Sequence, residues 1–370
     1  MQQKIGTLRL ALTFAGCFLG AGYVSGQELW QYFGAFGARG LLGLALAVVL
    51  LGGTGVLLLR LSARTGIETM DALIVRADIP WLRTAVGVLT AALLFGVVCI
   101  MAAGIGALGN QMLGLPVWLG AAIACVLIAA AAYFGLGGMV SVFTVAVPCM
   151  IVAALVIAGI RLHRTELTAA AFTVVHPDSL PKWSMMFVTV ACGAISGFHA
   201  TQSPMMARCI TSEKQGRTIF YGAMVAEGVI ALIWAAAGVT FYTNHGSLLD
   251  GMTGLTNAIA AGGAGDVVYQ ISTTLLGPVG GVLAMIGVIA CPITSGDTAY
   301  RAARLTIADW FHIDQSKVGP RAALSVPLLA VGAVVALALP WDVLWRYFSW
   351  SNQTLAMIVL WTGAVFLHKD

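Results

Sequence analysis

The sequence predicts an all-α integral membrane protein with about ten transmembrane helices, arranged as two inverted repeats of five helices. The first reason is composition: 59% of the 370 residues are hydrophobic and only 9% are charged, against about a quarter charged in soluble domains. The second is that many apolar runs approach the roughly 20 residues of a helical span. The third is that polar, glycine-rich interruptions occur near the start of each half. The composition excludes a soluble domain, because too few polar side chains are present to cover its surface.

Polar or charged breaks divide the apolar sequence into ten predicted spans. Shorter helices outside the bilayer core are expected at residues 66–80, 246–263 and 298–315. The spans, in order, are expected near residues 8–33, 40–59, 84–108, 116–134, 139–160, 184–206, 219–242, 267–296, 322–340 and 346–367.

The basic residues predict the orientation of these spans. Most of the 19 Lys and Arg residues fall in segments that are cytoplasmic if the N-terminus is inside, as the positive-inside rule requires. An even number of spans then places both termini in the cytoplasm. Because five spans is an odd number, the second half enters the membrane from the opposite side. We therefore divide the chain into a first five-helix repeat at residues 1–162, an extracellular connection at 163–182 and an inverted second repeat at 183–370.

Two interrupted helices are the strongest candidates for a substrate site. They contain GCFLGAGYVSGQE at residues 16–28 and CGAISGFHATQSP at residues 192–204. Close helix packing through small residues is one explanation, but it does not account for the accompanying polar side chains. An unwound backbone exposes carbonyl groups to a cation and N–H groups to a carboxylate. Spans 1 and 6 are therefore predicted to be unwound, with substrate-binding positions at Gly20, Gly22, Ser25, Gly26, Gln27, Ser196, Gly197, His199, Thr201 and Gln202.

Ionisable and hydroxyl groups near these segments are candidates for coupling to an ion or a proton. His199 is the only histidine within a predicted span, and ionisable groups in a membrane are functional candidates by default. Histidine also exchanges protons close to neutral pH. Each candidate has a structural alternative: a packed, hydrogen-bonded His199, a structural partner for Glu227, a helix cap at Asp297 and a solvated Glu28. The coupling candidates are Glu28, His199, Glu227, Thr294, Ser295 and Asp297.

The same stretches carry a resemblance to known families. The second half resembles the carbon starvation protein A (CstA) family. The first half resembles the YkvI-like membrane protein family, at GAGYVSGQELWQYFGAFG (20–37) and LFGVVCIMAAGIGALGNQMLGLPVWLG (94–120). The CstA-like strings are ACGAISGFHATQSPMMARC (191–209), FYGAMVAEG (220–228), CPITSGDTAYRAARLTIADWF (291–311) and WRYFSWSNQTLAM (345–357).

These resemblances imply membership of the amino acid–polyamine–organocation superfamily and its five-plus-five inverted repeat, the LeuT fold. They suggest a hybrid chain with a junction near residues 165–182, located in a bacterial inner membrane. The CstA resemblance implies uptake of peptides or pyruvate, whereas the YkvI-like family has no known substrate. Carried onto this sequence, the CstA resemblance assigns the site to Ser196, Gly197, His199, Thr201, Gln202, Thr294, Ser295 and Asp297.

The sequence thus predicts a secondary active transporter that takes up pyruvate, a peptide or an amino acid with H⁺ or Na⁺. It contains no GxxxxGK[ST] string for binding ATP phosphates. The alternative is a nutrient-sensing membrane receptor that binds without translocating.

No catalytic or metal-binding motif is present, so no enzyme activity, catalytic residue, metal site or cofactor other than the coupling ion is expected. The expected partners are a small molecule and the bilayer. Nucleic acid is not expected, because the net charge is only +4 and forms no basic patch; the oligomeric state is left open.

Overall fold

The computed structural model describes residues 6–18, 33, 38–66, 80–161, 197–207, 209–212, 214–243 and 248–369, and these are almost entirely helical. No strand occurs in these ranges. The helices are α1 Thr7–Phe18, α2 Ala38–Thr65, α3 Pro80–Leu113, α4 Val117–Arg161, α5 Gly197–Ala207, α6 Gln215–Phe241, α7 Leu248–Trp310, α8 Val318–Ala338 and α9 Trp341–Lys369.

Four helices in the described part of the chain are long and apolar enough to cross a bilayer. They are Leu42–Arg64, Pro80–Asn110, Gln215–Phe241 and Val318–Ala338, and they overlap the predicted spans 2, 3, 7 and 9. A helix satisfies every backbone polar group within its own segment, which a spanning element in lipid must do. These four helices form because their side chains are apolar, and the sequence prediction used the same property.

Helix α4 contains both predicted spans 4 and 5. The sequence predicts a break between residues 134 and 139, but the backbone stays helical from Val117 to Arg161. A helix of 45 residues is about 68 Å long if straight, more than twice the roughly 30 Å of a hydrocarbon core. The length needed for two spans is present, without a non-helical connection between them.

The largest departure from the sequence prediction lies in α7. Gly277 has φ +68°, a left-handed conformation that glycine adopts without steric cost, and Pro278 follows it as the first residue of a new helical arm. A Cβ added at Gly281 would lie 2.4 Å from Cγ2 of Thr273, although residues eight apart in a straight helix are about 12 Å apart. The chain therefore reverses at Gly277. The expected span at 267–296 is wrong in its bounds, because this turn lies inside the apolar run.

The two short helices predicted on either side of the 267–296 span are parts of the two arms of α7. The helix predicted at 246–263 belongs to the first arm, which ends at residue 276. The helix predicted at 298–315 is the continuation of the second arm, residues 278–310. Hydropathy misses this division because glycine within an apolar run leaves the local hydropathy unchanged.

Helices α1 and α5 lie in the interior of the bundle. Helix α1 packs against α4, α6 and α7, and α5 packs against α2, α7 and α9. The rings of Phe14 on α1 and Phe220 on α6 have centroids 4.9 Å apart, and both residues are fully buried. These two helices are thus shielded by the other apolar helices, and they bring polar residues into the interior.

Helices α3 and α4 approach each other through two glycines. A Cβ added at Gly120 would lie 2.9 Å from the Cα of Gly106, and one added at Gly106 would lie 2.8 Å from the carbonyl oxygen of Val117. Both neighbours are backbone atoms, so a side chain can be accommodated only if the helices separate.

We expect Gly120→Ala to destabilise the protein by about 1–3 kcal/mol, the usual cost of overpacking. The measurement is thermal unfolding in detergent micelles. Gly104→Ala on α3 is the matched control, since its added Cβ would meet nothing within 4 Å; it should be neutral or stabilising, by up to about 1 kcal/mol. Equal melting temperatures for the two variants would contradict the proposed close contact.

Candidate substrate and ion-coupling site

Helix α5 places several polar side chains in the protein interior. His199, Thr201, Gln202 and Ser203 all lie on it, and each is at most 9% exposed. Burying polar side chains costs free energy unless they are hydrogen-bonded. The partners of these side chains therefore determine what the helix can do.

The first turn of α5 is held by α9. The backbone N–H of Phe198 donates a hydrogen bond of 2.8 Å to Oδ1 of Asn352. A Cβ added at Gly197 would lie 2.6 Å from the backbone oxygen of Asn352. Glycine at this position permits the close approach of α5 to α9.

Two hydroxyl groups of α5 are used within the helix. The Thr201 hydroxyl donates to the carbonyl of Phe198 at 2.7 Å, and the Ser203 hydroxyl donates to the carbonyl of His199 at 2.9 Å. Nε2 of Gln202 donates to Oγ1 of Thr201 at 3.1 Å. Gln202 Oε1 is fully buried and has no hydrogen-bond partner among the described residues. Gln202 therefore retains an acceptor that a ligand can use.

His199 lies opposite an acidic residue of α6. Its Nε2 is 3.5 Å from Oε2 of Glu227, and the two side chains are 11% and 3% exposed. The pair links α5 to α6 in the protein interior. At 3.5 Å the contact is an ion-pair distance, slightly longer than a well-formed hydrogen bond.

The end of α1 meets the second arm of α7. The Ser295 hydroxyl donates to the carbonyl oxygen of Cys17 at 2.7 Å. Phe18 is the last described residue of α1, so this carbonyl lies near the end of the described part of the helix. Thr294 and Thr298 donate instead to carbonyls of their own helix, at 2.8 and 3.0 Å. Two oxygen atoms from different halves of the chain are thus brought into contact.

Asp297 is paired with a cation of the same helix. Its Oδ1 accepts a hydrogen bond of 2.7 Å from Nε of Arg301, and the carboxylate is fully buried. Nη2 of Arg301 donates to the carbonyl of Ala131 on α4 at 2.7 Å. The alternative of a helix cap at Asp297 is wrong, because α7 continues through this residue to Trp310. Oδ2 of Asp297 has no hydrogen-bond partner within the described ranges.

The structure describes only part of the predicted site. It places Gly197, His199, Thr201, Gln202, Glu227, Thr294, Ser295 and Asp297 in the interior. It brings together His199 with Glu227, and Ser295 with the end of α1. No group of three His, Cys, Asp or Glu residues gathers as a metal site in the parts of the chain described. The remaining predicted positions lie outside the described residues: Gly20, Gly22, Ser25, Gly26, Gln27, Glu28 and Ser196.

Sequence reasoning did not single out Asn352, Arg301 or Ala131. Asn352 accepts a hydrogen bond from an N–H group 154 residues away in sequence. Arg301 donates to a carbonyl 170 residues away in sequence. Asn352 and Arg301 are within the strings quoted above for the family resemblance, which was the available signal. The carbonyl of Ala131 carries no side-chain signal at all.

Comparison with solved structures identifies the fold. The structure of MhsT in complex with L-phenylalanine matches 97% of this chain and 89% of its own, with a TM-score of 0.67 and 15% identity. A Na⁺-coupled sialic acid symporter matches 98% of this chain and 78% of its own, with the same TM-score and identity. The protein therefore has the fold of the LeuT-type transporters.

Sequence relatives with a stated activity are transporters, not enzymes. The peptide transporter CstA of Escherichia coli is 25% identical over 279 residues, 57% of this chain and 39% of that protein. The pyruvate/proton symporter BtsT of Escherichia coli is 36% identical over 81 residues, 20% of this chain and 11% of that protein. The chain therefore spans less than half of the length of either transporter.

The first-half resemblance also has a matching relative. The uncharacterized membrane protein YkvI of Bacillus subtilis is 24% identical over 245 residues, 65% of this chain and 68% of that protein. This alignment covers more than half of the chain, so the YkvI similarity is not confined to residues 1–162.

The family model described as carbon starvation protein CstA matches residues 62–261, which is more than half of the chain. The matched range begins in the first half and crosses the 163–182 connection, so the CstA similarity extends beyond residues 183–370. Apolar helices and transporter relatives together identify a membrane protein with several spans. The chain belongs to the family described as carbon starvation protein CstA.

Proposed function

We propose that this chain is a secondary active transporter that takes up a small organic solute, namely pyruvate, a peptide or an amino acid, with H⁺ or Na⁺. The observation that carries the proposal is the contact between Ser295 of α7 and the carbonyl of Cys17 at the end of α1. It joins the two halves of the chain at a buried polar position. Transporters of this architecture place substrate and ions near the bilayer midplane, between repeats.

The proposed substrate site lies between the two interrupted spans. Helix α5 supplies a buried acceptor in Gln202 Oε1 and is attached to α9 by the hydrogen bond from the Phe198 N–H to Asn352. Backbone N–H groups around residues 25–27 would supply donors for a carboxylate, in keeping with anion binding at helix starts. The names of the two Escherichia coli relatives, a peptide transporter and a pyruvate/proton symporter, support a solute with a carboxylate.

The proposed topology has five spans in each repeat, unwound segments in spans 1 and 6, and both termini in the cytoplasm. The positive-inside distribution of Lys and Arg supports this orientation, and a bacterial inner membrane is the proposed location. Two finer points of the sequence prediction are part of this proposal: the superfamily membership and the repeat boundaries at 1–162 and 183–370.

The proposal is tested by uptake into proteoliposomes. Purified protein is reconstituted, and the accumulation of radiolabelled pyruvate, L-phenylalanine and dialanine is measured under an imposed H⁺ or Na⁺ gradient. We expect at least one solute to accumulate above its external concentration and to exchange in counterflow. A nutrient receptor would bind a solute without accumulating it, and that outcome would replace the transporter with the receptor function.

A further inference from the structure

The pair formed by His199 and Glu227 is a buried feature of the interior to which the substrate contacts proposed above assign no role. The two residues lie on different helices, and Nε2 of His199 is 3.5 Å from Oε2 of Glu227. Their side chains are only 11% and 3% exposed. Two ionisable groups placed in an apolar bundle are costly, and such groups in membrane proteins mark ion and proton pathways.

We propose that His199 and Glu227 together bind the proton that is co-transported with the substrate. The inference rests on the proposed transport function and names the groups that couple it to H⁺. One proton is shared between Nε2 of His199 and Oε2 of Glu227. When it leaves, a neutral imidazole and a carboxylate remain.

The chemistry of the pair favours a proton over a metal cation. Na⁺ and other hard cations are bound by oxygen atoms, and the imidazole nitrogen facing Glu227 is not such a ligand. Imidazole does suit transition metals, but no third His, Cys, Asp or Glu completes a metal site with this pair in the ranges described. A proton requires only the two groups present.

The charge of the pair supplies the coupling. With the shared proton the pair has no net charge; without it the net charge is −1, which is costly in a buried, low-dielectric position. The proton is therefore expected to leave only when the pair is exposed to water. A substrate carboxylate would be repelled by the −1 state, so proton and substrate favour each other's binding, and this effect is reciprocal.

Most of the other titratable groups described on the surrounding helices have partners of their own or are uncharged. Asp297 and Arg301 form an ion pair with each other, Asp266 accepts a hydrogen bond from Gln270, and Arg304 lies 5.6 Å from the centroid of the Tyr300 ring. An ordinary thiol is uncharged at neutral pH. The buried or half-buried titratable side chains described on the helices that pack against α5 and α6 are Cys17 on α1, Arg60 on α2, Cys99 on α3, Cys125 and Cys149 on α4, and Asp250, Asp266, Asp297, Tyr300, Arg301 and Arg304 on α7.

The test measures proton entry and solute exchange separately. Proteoliposomes containing a pH-sensitive dye receive external pyruvate, L-phenylalanine or dialanine without Na⁺, and counterflow of the same labelled solutes is followed in parallel. The wild-type protein should admit protons with the solute. Glu227→Gln should reduce solute-driven proton entry and gradient-driven accumulation by about 5- to 150-fold, the usual range of coupling between sites. Counterflow, which needs no net proton movement, should remain.

Two further variants sharpen the result. Asp309→Asn is the matched control, because this exposed carboxylate pairs with Arg83 at the protein surface, and it should keep wild-type coupling. In wild type, solute affinity should be higher at low pH than at high pH, because the pair carries a net charge of −1 only after the shared proton has left. His199→Gln should flatten this dependence.

The proposal is overturned if Glu227→Gln moves protons with solute at the wild-type ratio, or if wild-type uptake requires Na⁺ and admits no protons. The second measurement uses only the wild-type protein, so it decides the matter even if a variant fails to fold. Absence of both counterflow and accumulation for every probe in the wild-type protein would instead contradict the proposed transport function.

Discussion

Replacing Asp297 with asparagine is expected to lower the free energy of unfolding by about 3–5 kcal/mol, the usual cost of removing one partner of a buried ion pair. The carboxylate is fully buried and lies 2.7 Å from Nε of Arg301, which is itself only 11% exposed. Without the carboxylate, the guanidinium keeps its hydrogen bond to the carbonyl of Ala131 but remains a buried charge without a counter-charge. Unfolding in detergent micelles, followed by tryptophan fluorescence, measures the effect.

The surface pair of Arg83 and Asp309 provides the control for this prediction. Its atoms are 3.3 Å apart, and its side chains are 53% and 45% exposed, so Asp309→Asn should cost less than about 1 kcal/mol. The double variant Asp297→Leu/Arg301→Met removes both buried charges and should be less destabilised than Asp297→Asn alone. If Asp297→Asn and Asp309→Asn have the same stability, the buried pair does not contribute as described.

Replacing Ser295 with alanine is expected to reduce gradient-driven solute uptake by roughly 2- to 13-fold, from the loss of about 0.5–1.5 kcal/mol, which is what one hydrogen bond contributes. The carbonyl is that of Cys17, at the end of α1, and the Ser295 hydroxyl lies 2.7 Å from it. The loss weakens the attachment of α1 to α7. Initial rates of labelled solute entry into proteoliposomes measure it.

Two variants separate the hydroxyl of Ser295 from general effects on α7. Ser295→Thr keeps a hydroxyl and should retain most of the uptake. Thr306→Val removes a buried hydroxyl that donates only within its own helix, to the carbonyl of Ala302, and should have little effect. If Ser295 and the carbonyl of Cys17 bind Na⁺, Ser295→Ala should raise the Na⁺ concentration needed for uptake. If they only anchor α1, the rate should fall equally at every Na⁺ concentration.

Most of the buried polar residues of α5 have hydrogen-bond partners within the bundle, which makes their burial affordable in free energy. The hydroxyl groups of Thr201 and Ser203 donate hydrogen bonds within α5, and Asn352 accepts one from the backbone of that helix. The groups that can bind a ligand are those that can still accept or donate a hydrogen bond, such as Gln202 Oε1. A fully satisfied network mainly fixes structure, whereas a buried acceptor without a donor favours a ligand.

The sequence by itself determined the class of the protein and the segments of interest. A chain with 9% charged residues can fold stably only with its apolar helices in lipid, and hydropathy is a local property that can be read along the chain. For the same reason, polar residues such as His199, Gln202 and Ser295 stand out from their apolar surroundings. The segments that contain them were therefore identified without a structure.

Only the tertiary structure decided which of these residues meet. The contact between Ser295 and the carbonyl of Cys17 joins positions 278 residues apart, and the facing of His199 and Glu227 depends on how α5 lies against α6. A backbone carbonyl has no side-chain signature, and pairing across such separations follows from the packing of whole helices. The turn at Gly277 has the same cause: a left-handed glycine and a helical one are the same letter in the sequence, and the surrounding fold selects between them.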